Sequence, residues 1–212
     1  MIAAALTGNI GSGKSTVVKI LNENGIKTIN SDEIAHSVLE MGKIKKKLKE
    51  VFGDILTEEG KVDRKKLGKI VFQNREKLNL LNSIVHPEVL KKIYEELNKL
   101  SKREKIVVVE IPLLFETGLD KFFKPIIFIY TPLKTQIERL EKRDKLPYEE
   151  ILKRIKAQGK IEEKIKNSHY IIENNSTISE LKRKVKEIIK EIERDSQRWE
   201  SLSNWKELEK IL

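Results

Sequence analysis

The sequence predicts an α/β fold in which a parallel five-stranded sheet is flanked by helices. Short apolar runs alternate with longer amphipathic stretches, which is the pattern of buried parallel strands and of the helices that cover them. The runs that predict strands are residues 2–6, 26–30, 106–112, 125–130 and 169–175. A glycine-rich segment directly after the first run links this sheet to a binding function.

The glycine-rich segment is residues 8–16, where the pattern G-x-x-x-x-G-K-S stands between a predicted strand and a predicted helix. Glycines let backbone N–H groups approach a phosphate, and the helix N-terminus adds positive charge at the same point. Lys14 supplies a cation for the β- and γ-phosphates, and Ser15 supplies a hydroxyl for Mg²⁺. A chance match in a glycine-rich turn is the alternative, and the flanking strand and helix argue against it. The residues predicted to bind ATP are Gly8, Gly11, Ser12, Gly13, Lys14, Ser15 and Thr16.

The composition places few limits on function but excludes some classes of site. A chain of 212 residues, 39% hydrophobic and 36% charged, is long enough for one α/β domain with insertions. The absence of cysteine excludes disulfides, thiolate metal sites and thiol nucleophiles. No run approaches the roughly 18 apolar residues that span a bilayer, and no cleavable signal precedes the first strand. We therefore expect a cytoplasmic enzyme with no membrane partner.

The net charge of +10 has two interpretations, a nucleic-acid partner or a substrate that carries several phosphates. The densest basic run, residues 43–49, keeps Ile44 and Leu48 at helical spacing, which favours a solvated helix face. Few aromatic residues stand among the basic ones, so base stacking is not indicated. We expect no nucleic-acid partner.

Asp32 follows the second predicted strand and precedes a helix. In a parallel sheet, the carboxyl ends of the strands form the edge where ligands bind. A carboxylate there can orient a substrate hydroxyl and accept its proton. The alternative is that Asp32, or the neighbouring Ser31, only caps the helix.

Residues 41–100 show helical patterns interrupted by turns and no strand signal. This length is too great for a simple crossover, so we predict a helical insertion, about residues 33–100, that forms a wall of the acceptor site. One helix within it is predicted to stop at His86-Pro87 and another to begin near Val89.

Two features follow the insertion. Glu110, at the end of the third predicted strand, is interpreted either as an acid that holds Mg²⁺ through water or as a local hydrogen-bonding group. Residues 133–167 contain two basic helices, 135–143 and 151–166, which carry Arg139 and Arg143 and resemble a mobile lid. A solvated helical hairpin is the alternative for this region.

The predicted organisation is a single unit, residues 1–195. Its core comprises about residues 1–32, 101–132 and 168–195, and residues 196–212 form an extra terminal helix that contains Trp199 and Trp205.

Taken together, these motifs resemble the dephospho-CoA kinases, a family of P-loop kinases. The resemblance covers about residues 1–193. The stretches that carry it are residues 6–15, 31–35, 62–67, 71–72, 84–89, the P-L-L-F-E signature within 111–116, 136–143, 157–158 and 171–174. It implies ATP as phosphoryl donor, Mg²⁺, and transfer of the γ-phosphoryl group to the ribose 3′-hydroxyl of dephospho-CoA. By the resemblance, Asp32 acts as the base, and Lys14, Arg143 and Arg139 neutralise charge. The residues that it assigns to the acceptor are Asp32, Arg64, His86, Leu114 and Phe115.

Some positions depart from the family pattern. Asn9 stands where glycine is usual, Glu110 where aspartate is frequent, and Ser168-His169 where Ala-Asp is usual. His86-Pro87 could serve only to end a helix. Two rival functions remain: a nucleoside monophosphate kinase of the same fold, and a P-loop ATPase that binds nucleic acid. We expect a monomer or a small homo-oligomer.

Overall fold

The fold was analysed in a computed structural model that describes residues 1–212. It divides into two compact units. The sheet unit comprises Met1–Asn30 and Leu97–Glu207, and the helical unit comprises Ser31–Glu96 and Leu208–Leu212.

The sheet unit is built on five parallel strands, as predicted. In chain order they are β1 Ile2–Gly8, β2 Lys27–Asn30, β3 Ile106–Glu110, β4 Ile126–Tyr130 and β5 Tyr170–Glu173. Their spatial order is β2-β3-β1-β4-β5, so β1 is central. All seven residues of β1 are buried, because β1 pairs with β3 on one side and β4 on the other. The phosphate-loop segment therefore leaves the sheet from its middle strand.

The helices of the sheet unit are α1 Lys14–Glu23, α6 Leu133–Asp144, α7 Tyr148–Lys156, α8 Ile161–Lys166, α9 Ile178–Arg194 and α10 Ser196–Leu202. Of these, α1, α9 and α10 pack against strands of the sheet. Three residues of α1 (Val17, Ile20, Leu21) and three of α9 (Leu181, Val185, Ile192) are buried together with β1 side chains in one apolar cluster. This burial holds the N-terminus of α1 in place beneath any bound phosphate.

The helical unit contains α2 Ser31–Leu39, α3 Gly42–Phe52, α4 Arg64–Phe72 and most of α5 Arg75–Leu100. An isolated antiparallel bridge between Leu56 and Val62 forms a tight turn before α4. Asp63 caps α4, because its Oδ1 accepts hydrogen bonds from the N–H groups of Lys65 and Lys66 at 3.1 and 3.0 Å.

Two predicted helix boundaries are wrong. The predicted stop at His86-Pro87 does not occur, because α5 is a single helix of 26 residues that continues through Pro87. Burial of Ile84, Val85 and Val89 on either side of the proline outweighs the lost backbone hydrogen bond. The predicted lid helix over residues 151–166 is two helices, α7 and α8, separated at Gly159, which has a positive φ of 75°.

The last segment closes back on the start of the chain. It consists of α10 followed by a 3-10 helix, Trp205–Ile211. The Ser203 hydroxyl lies 3.1 Å from the N–H of Ala3 and 3.3 Å from its carbonyl oxygen. The Trp205 Nε1 donates to the Met1 carbonyl at 3.4 Å, and the Met1 ammonium pairs with Glu200 at 3.1 Å. Residues 200–205 are thus joined to the start of β1.

No helix of the chain combines the length and the apolar character needed to cross a membrane.

Candidate active site

The loop between β1 and α1 can hold its shape only with glycine at two positions. Gly13 has a φ of +88°, and a Cβ there would overlap the side-chain amide nitrogen of Asn174. A Cβ on Gly8 would stand 2.7 Å from the carbonyl oxygen of Ile129. The loop therefore wraps closely over the ends of neighbouring strands, and α1 begins directly after it at Lys14. Its backbone N–H groups and the helix N-terminus form a site for an anion.

Lys14 is held inside the loop. Its ammonium donates to the carbonyl oxygens of Gly8 at 2.7 Å and Asn9 at 3.3 Å. The next residue, Ser15, is exposed in the first turn of α1. A cation and a hydroxyl are thus adjacent where the loop passes into α1.

Three side chains that are not among the predicted site residues support the loop, two directly and Gln136 through Thr131. The Asn174 amide donates to the Ser12 carbonyl at 2.8 Å, and the Thr131 hydroxyl lies 3.1 Å from the same oxygen. Gln136 donates to the carbonyl of Thr131 at 2.6 Å. Thr131 and Asn174 are the first residues after β4 and β5, so their position at the carboxyl edge of the sheet is the signal that identifies them.

Arg139 belongs to the same support. Its guanidinium donates to the carbonyl oxygens of Gly11, Ser12 and Asn174 at 3.4, 3.3 and 3.1 Å. These bonds tie α6 to the phosphate loop.

Arg143 lies one turn further along α6 and is bound differently. It makes a bidentate ion pair with the adjacent Asp144 at 2.6 and 2.8 Å, and 62% of its side chain is exposed. This pairing raises the pKa of Arg143 and lowers the pKa of Asp144. An exposed pair of this kind contributes little to stability, so Arg143 can exchange Asp144 for another anion at small cost.

A cleft of about 300 Å³ opens above the loop and is lined by Gly11, Gly13, Lys14, Ser15, Glu110, Arg139, Leu140 and Arg143. Glu110 is buried at its edge and accepts a hydrogen bond from the Asn30 amide at 3.1 Å. The local hydrogen-bonding role of Glu110 is therefore present, and its carboxylate also lines the cleft.

A second hollow, of about 270 Å³, shares Gly13 and Arg139 with the first. It is otherwise lined by Thr16, Asn174, Ser176, Ile178 and Leu181. The apolar side chains of Ile178 and Leu181, with amide and hydroxyl groups beside them, suit a flat heterocycle that needs both apolar contact and hydrogen bonds.

The residues predicted to bind the acceptor divide between the two units. In the sheet unit, the Leu114 side chain is fully buried and anchors its loop. Phe115 is half-buried, so part of its side chain remains accessible. In the helical unit, Asp32 is exposed in the first turn of α2, and Arg64 begins α4. Arg64 lines a hollow of about 640 Å³ with His36, Glu40, Thr57, Glu58, Glu59, Lys61 and Val62.

His86, the remaining predicted acceptor residue, lies in the middle of α5 and is not part of that hollow. Desolvation by the surrounding protein lowers the pKa of His86 from its ordinary value of 6.5. This direction favours the neutral imidazole, and the His86 side chain itself is exposed on α5.

No three His, Asp or Glu side chains group closely enough to hold a metal ion by themselves. The donors that line the cleft are oxygens, the Ser15 hydroxyl and the Glu110 carboxylate. This sparse set fits Mg²⁺, which takes few protein ligands and keeps waters and substrate phosphates in its shell.

Comparison with known proteins gives a consistent result. The model of the family described as dephospho-CoA kinase matches residues 2–180. A dephospho-CoA kinase of Fusobacterium nucleatum is 44% identical over 181 residues, which are 85% of this chain and 93% of the relative.

Solved structures agree. The dephospho-CoA kinase from Campylobacter jejuni aligns with a TM-score of 0.71 and 37% identity, covering 92% of this chain and 98% of its own. A Thermus thermophilus protein aligns with a TM-score of 0.81 and 36% identity, covering 90% and 97%.

Proposed function

Because the chain belongs to the dephospho-CoA kinase family, we propose that it transfers the γ-phosphoryl group of ATP to the ribose 3′-hydroxyl of dephospho-CoA. The products are coenzyme A and ADP, and the reaction is the last step of coenzyme A biosynthesis. The observation that carries this proposal is the cleft above the phosphate loop, which Lys14, Ser15, Arg139 and Arg143 line together. Phosphoryl transfer needs positioning and charge neutralisation more than covalent chemistry, and this cleft provides both.

The donor occupies the sheet unit in this proposal. The triphosphate lies on the backbone N–H groups of residues 11–16, and Lys14 leaves the carbonyls of Gly8 and Asn9 to bind the β- and γ-phosphates. The adenine lies in the hollow lined by Ile178 and Leu181. Arg143 exchanges its partner Asp144 for the phosphoryl group in transfer.

Mg²⁺ fits the cleft through the Ser15 hydroxyl, with Glu110 available to hold one of its waters. When bound, the ion would neutralise part of the charge on the β- and γ-phosphates.

Asp32 acts on the acceptor in this proposal. It follows β2 by two residues, and its carboxylate accepts the proton of the 3′-hydroxyl as the oxygen attacks the γ-phosphorus. Arg64, His86 and Phe115 bind the rest of the acceptor, and the buried Leu114 holds the loop that presents Phe115.

We further propose that the protein works in the cytoplasm as a monomer or small homo-oligomer without a nucleic-acid or membrane partner. The excess of positive charge then serves two polyphosphate substrates, ATP and dephospho-CoA.

The test is ATP consumption by the purified protein with dephospho-CoA, AMP, adenosine or RNA as acceptor, with Mg²⁺ in excess. We expect turnover that depends on dephospho-CoA. Stimulation by AMP alone would instead favour a nucleoside monophosphate kinase. ATP hydrolysis driven by RNA, with binding that weakens steeply as salt rises, would favour the nucleic-acid alternative.

A further inference from the structure

The second part of the lid carries a buried cation that the proposed reaction does not use. Lys164, on α8, is only 5% exposed. Its ammonium pairs with Glu116 at 2.6 Å and lies 3.4 Å from the side-chain oxygen of Asn9 in the phosphate loop. A buried ammonium is expensive unless it is paired, so this arrangement depends on both partners staying in place.

A second contact joins the same segment to the same loop. The backbone N–H of Ile10 donates to the side-chain oxygen of Gln158 at 2.7 Å. Gln158 is half-buried and stands just before Gly159, where the lid changes direction from α7 to α8. The lid therefore holds two successive residues of the phosphate loop, one by its backbone and one by its side chain.

Between Arg139, which ties α6 to the phosphate loop, and Gln158, the charged residues of the lid make exposed contacts. Arg143 pairs with its neighbour Asp144, and Arg154 pairs with Glu150 one turn away. Such pairs cost little to break because water replaces them readily. The charged side chains within residues 143–156 can therefore change partners, whereas Gln158 and Lys164 are bonded to the phosphate loop.

The contact between Lys164 and Asn9 also affects the surroundings of Lys14. In this structure Lys14 donates to the carbonyls of Gly8 and Asn9. When Lys14 turns to a phosphate, the Asn9 carbonyl keeps the N–H of Ser12 as donor at 3.1 Å, and the Asn9 side chain keeps Lys164. The loop consequently does not lose its support when its lysine leaves.

We propose that Gln158 and Lys164 are positioning residues that anchor one end of the lid to the phosphate loop. They touch neither substrate and act through Ile10, Asn9 and Glu116, holding the loop in the form that receives the triphosphate. Arg143 lies between this anchor and Arg139, and its exposed pair with Asp144 leaves its side chain able to change partners. The effect on turnover rests on the function proposed above; the effect on ATP binding does not.

The test replaces each anchor by an apolar residue of similar size, in the variants Gln158→Leu and Lys164→Met. We expect each to weaken ATP binding, measured by calorimetry without acceptor, and to lower kcat/KM for ATP by about 10- to 100-fold, the loss that a displaced catalytic group causes. Lys164→Arg, which can still pair with Glu116, should recover part of this loss. Lys166→Met, on the same helix but exposed, should match the wild type.

All assays are run well below the midpoint of thermal unfolding of each variant, so that a loss of ATP affinity does not come from unfolded protein. Gln158→Leu and Lys164→Met variants that are folded and bind ATP within twofold of the wild type would overturn the proposal. If Lys164→Met does not fold, Gln158→Leu decides, because Gln158 is only half-buried. A wild type that binds ATP but ignores dephospho-CoA would refute the proposed reaction and leave this test intact.

Discussion

At the residue scale, the carboxylate of Asp32 is expected to separate ATP binding from phosphoryl transfer. Asp32→Asn keeps the size of the side chain and removes its ability to take a proton. We expect kcat to fall by about 10²- to 10⁴-fold, the usual contribution of a general base. ATP affinity, measured by calorimetry, should not change, because the phosphate loop and α1 belong to the sheet unit and Asp32 does not.

The matched control for this change is Glu33→Gln, because Glu33 is the neighbouring exposed acid in the same first turn of α2. It should retain wild-type turnover. If Asp32→Asn also kept nearly full turnover, Asp32 would be a surface or helix-end residue, and another group would have to accept the proton.

At the element scale, α6 carries two arginines with different surroundings and, we predict, different tasks. Arg139→Ala removes donors to three backbone carbonyls and should lower the free energy of unfolding by about 1.5–3 kcal/mol. Arg143→Ala breaks only an exposed pair and should leave stability within about 1 kcal/mol of the wild type. It should instead lower kcat by about 100-fold or more, as loss of a charge-stabilising arginine does.

Urea unfolding and steady-state kinetics on both variants check this division. An Arg143→Ala variant with unchanged kcat would show that Arg143 belongs to a solvated hairpin. An Arg139→Ala variant with unchanged stability would show that its carbonyl contacts contribute nothing.

The elements of this fold differ in how far the sequence predicts them. The strands were predictable because a parallel strand buried on both faces is a continuous apolar run, as residues 106–109 of β3 show. Breaks between helices were not. Pro87 lies inside α5 although proline usually ends a helix, because apolar side chains on both sides of it are buried. Gly159 separates α7 and α8 within one continuous basic pattern.

The residues of the site also differ in how far the sequence predicts them, for a different reason. Lys14 and Ser15 were predictable because the loop and α1 are contiguous in sequence, so spacing alone fixes their geometry. Asn174 bonds to Ser12 across 162 positions and Gln158 to Ile10 across 148. Nothing in the local sequence marks such pairs, and only the order of the strands brings them together.

At the scale of the whole molecule, distant parts of the chain meet at the sheet, and His169 joins the start of β4 to α10. The His169 Nδ1 accepts the N–H of Ile126 at 3.1 Å, at the start of β4. Its ring meets Trp199 of α10 edge-on, with ring centres 5.1 Å apart. Desolvation and the nearby charges of Lys124 and Arg198 lower the pKa of His169 from its ordinary value of 6.5. The fold therefore requires the neutral imidazole.

This requirement makes the stability of the protein depend on pH. In the unfolded chain His169 titrates at about 6.5, whereas in the folded chain its pKa is lower, so the unfolded state binds more protons below that pH. The stabilisation is fully present above about pH 6.5 and is lost as pH falls through the folded pKa. His169→Asn keeps an acceptor for Ile126 and cannot titrate. Between pH 7.5 and pH 5, urea unfolding should show the wild type losing about 0.5 kcal/mol more than this variant, the lower end of the net value of one hydrogen bond, because His169 is exposed to solvent. Because carboxylate pairs and His86 titrate alike in both proteins, the difference isolates His169. Equal losses would mean that the imidazole accepts its proton without releasing Ile126.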